Sequence, residues 1–213
     1  MAKGQSSTWY KLFLLLTLYV GLFIVFVGES YLVKVIEVEG GMNRDFYSGE
    51  VAEKSTDRGS RWFTAVFVDT QIMAHTFEPF IPTEEEMQAA KGMEDFGRPV
   101  FHWWEGRLRA WWTLIWACFV RLSSVLLWAP YSLLFIVPWL VDGLVEREKG
   151  KHTFAYASPM RNRYAMMALA VMPLVFLVIL TAPLPLHPLT TPILLILIGV
   201  MVYQLVANFM KRA

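Results

Sequence analysis

Hydrophobic positions in this chain gather into long runs rather than the narrow stripes of a soluble helix. Residues 12–28 carry no charge and are dense in Leu, Phe and Val. Extended to Val35, they predict a first transmembrane helix over 12–35. Residues 110–141 are uncharged except for Arg121. As one helix they would extend about 48 Å against ~30 Å of hydrocarbon, so this second transmembrane helix must tilt or protrude. Pro130 and Pro138 are expected to kink it, and 122–141 is its cleanest span. Residues 164–181 and 189–209 predict a third and a fourth. Between them Pro183, Pro185 and Pro188 rule out a regular helix over 182–188.

The polar positions concentrate between the first two runs, in 36–109. Gly40-Gly41 reads as a break. From Trp62 to Phe77 the apolar residues Phe63, Val66, Phe67, Ile72 and Met73 fall closer to helical than to strand spacing. Thr83-Glu84-Glu85-Glu86 fits a capping box and predicts a short helix to about Asp95, ended by Gly97 and Pro99. Such a stretch has too little core of its own to stand alone. The fold class expected is an all-α integral membrane protein: four transmembrane helices, with a small helical extracytoplasmic segment between helices 1 and 2.

Composition sharpens this picture. Of 213 residues 56% are hydrophobic and only 17% charged, below the ~25% of soluble domains. The single cysteine, Cys118, excludes an internal disulfide and any multi-cysteine metal site. Charge orients the chain. Lys3 and Lys11 mark a cytoplasmic N-terminus over 1–11, and Lys211 and Arg212 a cytoplasmic tail over 210–213. The 142–163 loop carries Arg147, Lys149, Lys151, Arg161 and Arg163, whereas 182–188 has no cation. With four spans all three basic segments share one side, the cytoplasmic one. Residues 29–109 hold fifteen acidic and nine basic residues, a net of −6, and fall on the opposite side. The arrangement expected is a multi-pass membrane protein, N-in and C-in. The first run is read as an uncleaved anchor, because it is long for a signal peptide and no A-x-A site follows.

Three groups of residues are candidate sites. Arg121 shares a helix face with Ser124 and Tyr131, an intramembrane polar stripe; an arginine inside a span faces a bundle interior or a water path, and one at its edge snorkels. Arg147, Lys149, Lys151, Arg161 and Arg163 form a basic loop suited to acidic membrane lipids or a cytoplasmic partner, although positive-inside topology alone accounts for them. Interleaved with Asp142, Glu146 and Glu148, they do not make a nucleic-acid surface, and direct DNA contact is not expected. Trp103, Trp104, Trp111, Trp112 and Trp116 match an interfacial belt. No Walker loop, G-x-S-x-G or H-E-x-x-H is present, so no catalytic residue, cofactor or metal site is assigned.

The C-terminal half resembles a family of membrane proteins, of unknown function, from integrating conjugative elements and related conjugative plasmids. The resemblance lies in Leu140-Val141-Asp142-Gly143-Leu144-Val145-Glu146-Arg147, in Phe154-Ala155-Tyr156 followed by Arg161-x-Arg163, and in Pro185-Leu186-His187-Pro188. Glu148-Lys149-Gly150-Lys151 is shorter than the Arg- and Gly-rich linker of some members. The resemblance implies a bacterial inner-membrane protein encoded beside the coupling ATPase of a conjugative type IV secretion system, with no catalytic residues to carry over. A non-enzymatic accessory of conjugative DNA transfer is expected, meeting the coupling ATPase or secretion-channel subunits. A homo-oligomer is compatible with this. Two other readings stay open: a small transporter or channel subunit with a polar path around Arg121, and an entry-exclusion protein.

Overall fold

A computed structural model describes residues 3–77, 98–153 and 159–208. Among these the chain is all-α: α1 (Lys3–Phe26), α2 (Glu29–Tyr47), α3 (Gly49–Phe63), α4 (Ile72–Phe77), α5 (Arg98–Leu127), α6 (Ala129–Thr153), α7 (Pro159–Thr181) and α8 (Thr190–Ala207). Among the described residues four stretches are long and apolar enough to cross a membrane, Val100–Leu127, Ala129–Gly150, Arg163–Thr181 and Thr190–Ala207. A shorter apolar stretch, Phe13–Phe23, lies in α1. This is a multi-pass membrane protein. The helix expected over 83–95 lies outside the described residues.

Two expected helices are divided in the structure. The 12–35 stretch breaks at Val27 and Gly28, where Gly28 is extended (φ −92°, ψ 158°). Arg107 Nη1 donates to the freed Val27 carbonyl at 2.8 Å, which replaces a helical bond that the break removes. Past the break the pattern turns amphipathic, and α2 buries Leu32, Val35 and Glu39. Gly40 and Gly41, expected to end a helix, lie inside α2. Two glycines cost a helix roughly 1 kcal/mol each, a penalty that packing against α5 can offset. The 110–141 stretch divides at Trp128 into α5 and α6. Pro130 has no N–H to give the Leu126 carbonyl, and its ring crowds that turn. Pro138 sits within α6 without interrupting it.

The helices form two bundles end to end. In the first, α2 runs parallel to α5 and α3 returns antiparallel. Leu32 packs with Ala110 and Leu114, and Glu39 reaches Arg121. On the return, Ser55 meets Ser123 and Phe63 meets Trp112. Ser48, at φ 82°, makes the reversal between α2 and α3. The end of α1 closes this bundle, with Phe23 edge-on to Trp111. A single π-helical turn, Thr64–Val68, follows α3. It lets Phe63 and Phe67 both face Trp112 and Phe119, with ring centroids 5.2–6.2 Å apart. The second bundle is α6, α7 and α8. Gly199 lies against the Trp139 ring and Gly143 against Tyr203, so α6 and α8 run parallel. The Pro-rich turn before Thr190 folds α7 back along α8 as a hairpin, as the prolines require.

Candidate functional site: a buried ion pair where the bundles meet

The first bundle ends and the second begins around Arg121, which is 5% exposed. An isolated charge at that depth would be costly, so its partners decide what it does. Arg121 Nη2 donates to Glu39 Oε2 at 2.7 Å, and Nε donates to both carboxylate oxygens at 3.0 and 3.1 Å. The remaining donors reach the end of α7 and the turn after it. Nη1 donates to the carbonyls of Leu180 at 2.8 Å and Ala182 at 2.7 Å. Nη2 donates to that of Leu184 at 2.9 Å. The last carbonyls of a helix have no partner within it, and the guanidinium supplies one. One planar, five-donor group therefore joins α2, α5 and the α7–α8 turn; an ammonium has no such fork. Nearby, Cys118 Sγ donates to the Leu180 carbonyl and Tyr19 Oη to that of Thr181.

A second polar cluster lies a half-turn further along α5. Ser123, with no exposed surface, donates its hydroxyl to the Ser55 carbonyl at 2.7 Å. Arg58 Nε donates to Ser123 Oγ at 2.8 Å, and Arg58 Nη2 to the Ser123 carbonyl at 2.7 Å. Arg58 also stacks over the Trp62 ring, 5.7 Å from its centroid. These bonds lock α3 onto α5.

The expected polar stripe is not assembled as one path. Arg121 turns to Glu39, Ser124 bonds Ser55 and the Val120 carbonyl, and Tyr131 is 54% exposed against Trp128. The five tryptophans also separate. Trp112 is buried and donates to Thr76 Oγ1, Trp116 donates to Ser60 Oγ, and Trp111 packs on Phe23. Trp103 remains exposed beside Trp104, with the Arg107 guanidinium over its ring. Of the basic residues, Arg147, Lys149 and Lys151 lie on the last turns of α6, and Arg161 and Arg163 on the first turns of α7. The cations therefore extend helices rather than occupy a free loop. Phe154-Ala155-Tyr156 lies outside the described residues. Glu39 was not expected as a partner of Arg121, since a pair 82 residues apart leaves no mark in local spacing.

Residues 36–210 match a family described as IncC plasmid conjugative DNA transfer protein DtrJ-like. The chain belongs to the DtrJ-like family. The match takes in most of α2 as well as α3 and α5 to α8, so both partners of the Arg121–Glu39 pair lie within the DtrJ-like region. It extends well beyond the C-terminal half that carried the resemblance to conjugative-element proteins, and agrees with it. No curated protein and no solved structure matches the chain.

Proposed function

We propose that this DtrJ-like protein is a non-enzymatic inner-membrane accessory of conjugative DNA transfer that associates with the coupling ATPase or the secretion channel. The observation that carries the proposal is the family match across nearly the whole helical assembly. The basic ends of α6 and α7 support it. Arg147, Lys149 and Lys151 continue α6 past its apolar stretch, and Arg161 and Arg163 begin α7. These helical turns give a cytoplasmic partner, or acidic lipid, a cationic surface. Both chain ends then face the cytoplasm, and α2, α3 and α5 face away from it. The engagement of every direction of the Arg121 guanidinium by Glu39 and carbonyls favours a structural role over a transport path.

The test is a tagged protein recovered from mating donor cells in mild detergent, with transfer frequency measured in parallel after deletion. Recovery of the coupling ATPase or a channel subunit, with transfer lost on deletion, is the expected outcome. Undiminished transfer together with no such partner overturns the proposal. Reduced uptake by recipients that carry the gene alone would transfer the assignment to entry exclusion.

A further inference from the structure

The four long apolar helices meet their surroundings in two different ways. From Ala110 to Arg121 no side chain of α5 is exposed. α2, α3 and the end of α1 cover it, and the outward faces of α2 and α3 are charged. Lys34, Glu37, Glu50, Lys54, Asp57 and Arg61 are all exposed. Charged side chains at the centre of a bilayer cost about 3 kcal/mol each or more, so hydrocarbon does not surround this bundle. The apolarity of α5 is that of a core helix, satisfied by protein.

The second bundle is the reverse. Leu133 and Leu134 on α6, Met166 and Met167 on α7, and Ile193 and Leu197 on α8 are exposed. So much contiguous apolar surface is not left to water. The apolar half of α1 behaves likewise, with Phe13, Leu15 and Leu18 bare. The Tyr19 bond to Thr181 places that half beside the second bundle. Where the charged and bare surfaces meet, Phe46, Tyr47, Val51, Leu127, Trp128 and Tyr131 wall an open notch of about 430 Å³. Trp128 Nε1 donates to Tyr47 Oη at 2.7 Å. Tryptophan and tyrosine, with an apolar body and a polar tip, settle at membrane–water boundaries.

We infer that α5 stands clear of the bilayer as the core of a water-exposed bundle, and that the Phe46–Tyr47–Trp128–Tyr131 notch seats in the phospholipid headgroup layer. The bilayer then holds α6, α7 and α8, with the apolar half of α1 lying beside them. The Arg121–Glu39 pair lies just outside the hydrocarbon, at the seam between the parts. This placement rests on burial and charge alone and does not depend on the conjugation proposal.

Spin labels test it. In a Cys118→Ser background, single cysteines replace Arg61, Arg109, Tyr131 and Leu134, all exposed side chains. Arg61 lies one residue from Ser60, the partner of Trp116, and so is level with the middle of α5. In nanodiscs of phosphatidylethanolamine and phosphatidylglycerol, collision with oxygen is compared with collision with a water-soluble nickel chelate. The oxygen-to-nickel ratio is expected to be several-fold higher at Leu134 than at Arg61 or Arg109, with Tyr131 between them. A ratio at Arg61 or Arg109 equal to that at Leu134 makes α5 a span and overturns the inference. A ratio at Tyr131 equal to that at Arg61 removes the notch from the membrane surface. A membrane-impermeant maleimide on intact vesicles gives an independent reading, modifying Arg61→Cys and Arg109→Cys but sparing Leu134→Cys.

Discussion

Replacing Glu39 by Gln keeps the shape of the side chain and removes the charge that holds Arg121. Three donor contacts converge on that carboxylate at 2.7–3.1 Å, and the arginine is almost fully enclosed. Removing one member of a buried pair leaves the other uncompensated and costs about 3–5 kcal/mol. The three carbonyls at positions 180, 182 and 184 still hold the guanidinium, so the loss should fall at the lower end of that range. For a chain of this length it corresponds to a fall of roughly 10 °C in melting temperature. Arg121→Met should cost at least as much, because it also takes the guanidinium from the Ala182 and Leu184 carbonyls and leaves the buried Glu39 carboxylate without its cation. The double variant Glu39→Leu/Arg121→Met should recover much of the loss, since an apolar pair of similar volume often replaces a buried ion pair with little penalty. The assay is thermal unfolding of the purified protein in nanodiscs, followed by circular dichroism and arranged as a double-mutant cycle. Single variants that each shift the midpoint by less than 2 °C, with additive effects, would refute the claim that the pair joins the two bundles.

Other outcomes follow from the packing. At Gly59 an added Cβ would sit 2.6 Å from Val120 Cα and 2.8 Å from the Phe119 carbonyl oxygen, so Gly59→Ala must push α3 off α5. A loss of about 2 kcal/mol is expected in the same unfolding assay. Ser123→Ala removes a hydroxyl that both accepts from Arg58 and donates to the Ser55 carbonyl, and should cost about 1–3 kcal/mol with faster proteolysis of α3. Arg161→Gln with Arg163→Gln should leave the melting temperature within about 2 °C, because exposed charges contribute little to stability. The same variant should lower transfer frequency if the basic helix ends meet a partner.

Much of the helical content can be read from the residues themselves. The three prolines between Thr181 and Leu189 announce the α7–α8 hairpin, and Pro130 announces a disturbance near Trp128. The fate of the helix before that proline cannot be read in the same way. An apolar run looks alike whether lipid or protein covers it, and what covers α5 is the amphipathic α2–α3 pair, far away in the chain. For the same reason Trp112 and Trp116 resemble a membrane belt in the sequence, although Phe63, Phe67 and Ser60 receive them in the fold. Arg121 stands out by its type alone. Glu39 does not, being one acid among many in a polar stretch, and only the parallel course of α2 and α5 brings it opposite.

The parallel course of α6 and α8 has a consequence for biogenesis. The hollow at Gly199 that receives the Trp139 ring belongs to α8, made after α6 and α7, and so does the backbone of Tyr203 that lies on Gly143. While the chain is still emerging from the ribosome, α6 has no companion along that seam, and the intervening α7 does not provide one. Completion of this seam therefore waits on α8, and a chain cut short after the proline turn would leave α6 alone among lipids.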